Sequence, residues 1–283
     1  MERLPTYFLS VVLLSFGCQP NTEWYRKDLT GIDSADYAQK FLKGMISSYY
    51  QGTPPAEVML YEAQKFDTTN AALWREFGVP YLKRGYYHKS YYYYNKAVQH
   101  DPATWQGWRG YNYLYFYRDF ERAIADFNAT DTLTENFTDY PQGQSVDYMR
   151  GIAYYGLMDY KNAHRYFDLY VEEVLGNHDE SWADPKVFLY KGLAYLSENK
   201  NDSAITYFDK VIKYDGSLAD GYYHKARALL ALNQLAEARV FNHKALTQFK
   251  SGSNHKRPYV EVLDQIYIED IAELMKKIDG KKH

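Results

Sequence analysis

Apolar residues in the stretch 71–102 recur three and four positions apart. Trp74, Phe77 and Tyr81 fall on one stripe and, after Gly85 and Tyr86, Tyr94 and Ala97 fall on a second. That spacing predicts two helices joined by a tight turn. Gly78 and Ser90 interrupt the stripes with small side chains, which lets the two axes cross closely, and Pro102 ends the pattern. Such a hairpin leaves an apolar face that it cannot bury alone.

The same pattern returns along the chain. The small position of the first helix gives the column Gly44, Gly78, Tyr111, Gly151, Gly192 and Ala226, and that of the second gives Ala56, Ser90, Ala123, Ala163, Ala204 and Ala238. Subtracting neighbours in either column yields 34, 33, 40, 41 and 34, so the columns keep step through all six units. A third column, Leu60, Tyr94, Phe127, Phe167, Phe208 and Asn242, is apolar in five of six. Six hairpins are expected, near 37–70, 71–103, 104–138, 144–177, 185–218 and 219–252. The two long spacings place inserts at 131–143 and 176–184, rich in turn-forming residues.

Ser251-Gly252-Ser253-Asn254 breaks the pattern, and Val262, Leu263, Ile266, Tyr267, Ile271, Leu274, Met275 and Ile278 then recur at helical spacing. The expected element is a last helix over 256–280, with Pro258 in its first turn. One reading makes it a partner-binding amphipathic helix. The other, favoured because a stacked array leaves one end uncovered, makes it a cap.

Trp74, Phe77-Gly78, Tyr81, Ser90, Tyr94, Ala97 and Pro102 together resemble the tetratricopeptide repeat (TPR). That resemblance implies an all-α, right-handed superhelical solenoid whose first helices line a concave groove that takes peptides. Inward positions carried over from the repeat pattern are Arg75, Val79 and Lys83; then Trp105, Trp108, Asn112, Tyr115 and Phe116; then Tyr148, Ile152 and Tyr155. Later units add Leu189, Leu193 and Leu196, and then Tyr223, Arg227 and Leu230. The candidate binding groove is therefore Arg75, Lys83, Trp105, Trp108, Asn112, Tyr115, Tyr148, Tyr155, Tyr223 and Arg227. The competing reading of these aromatics is core packing, the commoner role of Tyr and Trp at helical spacing. The Lys and Asn clamp by which some TPR domains grip a terminal carboxylate is incomplete, because Val79 stands at an Asn position.

Composition narrows the function classes. The 283 residues include 32 Tyr, and the formal net charge is -3 without a basic run, which argues against nucleic acid. The single cysteine, Cys18, excludes an intramolecular disulfide and thiolate-rich zinc sites. It follows an apolar run led by Arg3, so residues 1–18 read as an export signal too short to span a bilayer. Ser15-Phe16-Gly17-Cys18 resembles a bacterial lipobox. The resemblance implies acylation of Cys18 and an envelope location, with Gln19 pointing to the outer membrane and 19–36 as a tether; a plain cleaved signal is the alternative. No nucleophile elbow, phosphate loop or zinc spacing occurs, and His178-Asp179-Glu180 reads as a solvated loop rather than a metal site. No cofactor is expected. The sequence thus suggests a non-catalytic scaffold for protein or peptide partners of the envelope, with glycan binding through the same aromatics as the alternative.

Overall fold

A computed structural model describes residues 34–134 and 138–281. Cys18, the expected export signal and nearly all of the expected tether lie outside the described residues. The helices are α1 (Ser34–Ser48), α2 (Pro54–Phe66), α3 (Ala71–Lys83), α4 (Tyr87–His100), α5 (Pro102–Asn112), α6 (Phe120–Leu133), α7 (Val146–Gly156), α8 (Tyr160–Asn177), α9 (Pro185–Ser197), α10 (Asn201–Tyr214), α11 (Ala219–Ala231), α12 (Leu235–Lys250) and α13 (Ile268–Gly280). Consecutive pairs from α1/α2 to α11/α12 form antiparallel hairpins that stack in chain order, making an all-α superhelical solenoid, and α13 covers the last one.

Within each hairpin the axes meet at the small columns. Ala56, Ser90, Ala123, Ala163, Ala204 and Ala238 have no exposed surface. A Cβ added at Gly151 would lie 2.5 Å from the ring of Phe167, and one at Gly192 would lie 2.5 Å from that of Phe208. Glycine is required there because the opposing aromatic fills the space a methyl would take. In the last hairpin the opposing residue is the smaller Asn242, and Ala226 is accommodated. Asn242 instead donates its amide to the carbonyl of Ile271 at 3.0 Å, tying α12 to α13. Ile271, Leu274 and Ile278 of α13 are buried against α11 and α12, the covering role that a solenoid end demands.

One column is corrected. The small crossing residue of the third hairpin is Gly110, where an added Cβ would lie 2.7 Å from Phe127, and not Tyr111. The surplus residue is absorbed by a π turn, Tyr113–Tyr117, between α5 and α6. Its wider turn accommodates one residue more than an α turn. The chain reversal widens correspondingly: Asp119 N–H bonds to Tyr113 O, whereas in the next hairpin Asp159 N–H bonds to Tyr154 O.

Successive hairpins are also joined through the residue just before the crossing position. Arg150, Lys191 and Lys225 are buried, and each cation lies over an aromatic ring of its own hairpin, at 4.8 Å from Tyr166, 4.8 Å from Tyr207 and 4.1 Å from Phe241. Each also pairs with a carboxylate of the preceding hairpin: Arg150 with Asp131 (3.0 Å), Lys191 with Asp168, and Lys225 with Asp209 (2.5 Å). Burial without such partners would be costly.

The last helix starts at Ile268, not near residue 256. Residues 255–267 are almost free of regular structure and run as a strap out over the first helices and back. Pro258 and Tyr259 form its tip, where an isolated antiparallel bridge pairs Arg257 with Val260.

Candidate functional site

The strap lies on the wall that the repeat pattern assigns to partner binding, and it contacts four first-helix units in turn. The carboxylate of Asp220 on α11 accepts the His255 backbone N–H at 2.7 Å. Arg257 reaches the third hairpin, where its guanidinium carbon sits 3.7 Å from the ring centre of Tyr115 and 5.3 Å from that of Tyr111. Its Nη1 donates to the Tyr111 hydroxyl at 2.8 Å and its Nη2 to Gln144 Oε1, which also accepts from the Tyr115 hydroxyl at 3.1 Å. On the return path, Asp264 Oδ2 accepts from the Tyr155 hydroxyl at 2.7 Å, and Leu263 O accepts from Tyr190 at 3.4 Å. Val262 and Ile266 are buried beneath.

Under this cover the phenols of Tyr115, Tyr148, Tyr155 and Tyr190 are pushed above their ordinary range, chiefly because burial opposes a phenolate. The wall is thus a neutral surface of rings and hydroxyls. Burial alone would lower the charge affinity of Arg257, yet the phenols around it, first Tyr115 and Tyr111, more than offset that loss and raise its pKa.

The structure divides the expected groove into separate places. Arg75, Lys83 and Asn112 line an open cavity of about 290 Å³ at the N-terminal end, with Val79, Tyr111 and the strap residue Tyr259. Lys83 Nζ is 5.6 Å from the Tyr259 ring and donates to Gln51 at 2.9 Å. The amide nitrogen of Asn112 is buried in that wall without a hydrogen-bond partner. Trp105 and Trp108 pack edge to face and are roofed by Arg75, at 5.8 Å and 4.9 Å, so they belong to the seam between α3 and α5. Trp108 also borders a cleft of about 310 Å³ with Tyr140 and Pro141 of the first insert. Tyr115, Tyr148 and Tyr155 lie under the strap. Tyr223 and Arg227 face α13 across a cavity of about 540 Å³ whose other wall carries Asp270, Glu273 and Lys277.

Sequence reasoning missed Tyr111, Gln144 and Tyr190, which meet the strap directly. With Gly110 as the crossing residue, Tyr111 takes the inward position held by Val79 and Ile152 in the neighbouring units, and the glycine itself was the available signal. Among the described residues no three His, Cys, Asp or Glu side chains gather as a metal site, and no helix is long and apolar enough to cross a membrane.

No protein-family model matches the sequence, and no curated protein matches it. Solved structures do. PilW, a type IV pilus biogenesis factor, is 16% identical, with 77% of this chain and 92% of that one covered at a TM-score of 0.58. PilF of Pseudomonas aeruginosa is 19% identical over 78% of this chain and 93% of that one, with a TM-score of 0.56. A tetratricopeptide repeat protein from Parabacteroides merdae is 17% identical over 87% of this chain and 83% of its own, with a TM-score of 0.52. At such identities the likeness is one of fold, and the fold is that of a tetratricopeptide solenoid.

Proposed function

We propose that the chain is a non-catalytic protein-binding scaffold of a bacterial cell envelope, anchored by acyl groups on Cys18 and holding extended peptide segments against its first-helix wall. The observation that carries this reading is the strap itself, an irregular stretch of polypeptide already seated on that wall through side-chain and backbone hydrogen bonds. The same surface chemistry serves a segment of another protein. The open N-terminal cavity is the entry for such a segment, where Lys83 and Arg75 offer donors to peptide carbonyls and acidic side chains. The envelope placement rests on the lipobox-like sequence alone. The glycan alternative is less well supported, because Tyr148 and Tyr155 are buried and only Trp105, Trp108 and Tyr223 of the same aromatics stay half-exposed with the strap in place.

Site-directed photo-crosslinking in cells tests the reading. A crosslinking residue at Lys83 captures discrete envelope proteins, while one at Met158, 73% exposed at a hairpin turn, does not. Equal capture at both positions, or none at Lys83, overturns it.

A further inference from the structure

The strap holds its arginine in an unusual way. Arg257 is half-buried, and its guanidinium bonds are to a phenol and an amide rather than to a carboxylate. Cation–π stacking on Tyr115 and Tyr111 supplies the rest. The tip next to it is held less firmly: Tyr259 is 62% exposed and has a φ of 69°, a left-handed conformation that a bulky side chain adopts only under strain. Beyond the tip on either side, His255, Val262 and Ile266 are buried, so the buried anchors lie outside the stretch 256–261, within which Arg257 is the main attachment. Pro258 and Tyr259 also wall the open cavity, so a peptide entering there meets the tip first.

Resting on the scaffold reading above, we propose that the Tyr111–Tyr115 platform with Gln144 is an arginine-reading subsite for extended partner segments, and that Arg257 occupies it in cis until a partner's arginine takes its place. The chemistry selects guanidinium. A planar group stacks face-on against the ring while its in-plane N–H groups reach both the Tyr111 hydroxyl and Gln144 Oε1. An ammonium has no such plane. The subsite offers no cation of its own once Arg257 leaves, so acidic segments gain nothing there. Lifting the tip relieves the strain at Tyr259, which offsets part of the cost of exchange.

The test uses the full chain and a fluorescent peptide copying residues 253–261, read by anisotropy. The Arg257→Ala chain binds this peptide at least tenfold more tightly than wild type does, and a peptide with Lys at the arginine position binds at least tenfold more weakly than the arginine form. Equal affinity of the two chains, or of the two peptides, with circular dichroism confirming folded protein, overturns the proposal. Should Arg257→Ala not fold, Arg257→Gln carries the same readout, since it keeps a polar end near Tyr111 without the stacked plane. Failure here with persistent crosslinks at Lys83 removes the arginine subsite and leaves the scaffold. Tight arginine-selective binding without those crosslinks does the reverse.

Discussion

At the scale of single residues, each hairpin turns through one left-handed position: Gly52, Gly85, Arg118, Met158, Asn199 and Asn233, with φ between 55° and 78°. Glycine and asparagine suit that region, and arginine and methionine do not. Met158 is exposed, so its side chain gives little in return for the strain. Met158→Gly is expected to stabilise the chain by about 0.5–1 kcal/mol, the left-handed penalty less the added entropy of glycine, and chemical denaturation measures it. A loss of stability would mean that the Met158 side chain holds the turn. Much at this scale was legible in the sequence. The crossing columns were visible because Gly opposite Phe leaves no alternative. The conformation of Met158 was not, since nothing in its identity marks a left-handed residue.

At the scale of elements, the hairpins were readable and the strap was not. Val262, Leu263 and Ile266 fit a helical stripe, yet Pro258 donates no N–H and Tyr259 and Asp264 turn left-handed, which stops a helix from forming before Ile268. The partners that hold the strap lie far off in sequence, beyond the reach of any local pattern. Its root gives a pH dependence. Burial holds the His255 imidazole down to about 3, so the folded chain binds fewer protons than the unfolded one below the ordinary histidine range, and stability falls on acidification from about 6.5. His224 is shifted in the same direction by the same cause. Asp220, pushed up to about 6 by burial, acts oppositely: its contribution is present below about 4 and lost as pH rises through 6. The midpoint of thermal unfolding is therefore expected to drop between pH 6.5 and 4, and to drop more steeply in Asp220→Asn, where the opposing group is gone. A shallower slope in that variant would contradict the assignment.

At the scale of the whole molecule, the strap changes how the array comes apart. A solenoid held only by nearest-neighbour contacts frays hairpin by hairpin. Here one segment bonds to Tyr111, Tyr155, Tyr190 and Asp220, on α5, α7, α9 and α11. Hydrogen exchange is expected to show α5, α7, α9 and α11 losing protection together, after α1 and α2. In a chain with the buried Val262 changed to Asp, protection should instead retreat in steps from α12. Stepwise loss in the wild type would show that the strap carries no such load. The sequence offered the row of hairpins but not this coupling, because coupling depends on where the tail returns in space.

The surplus residue in the third hairpin carries one more consequence. An array of look-alike units invites a tail to slip along it by one repeat and settle in a neighbouring berth. The two positions that hold Tyr111 and Tyr115 are Val79 and Lys83 in one flanking unit and Ile152 and Gly156 in the other, neither an aromatic pair. The off-phase hairpin breaks the translational degeneracy of the row and leaves the returning tail a single address.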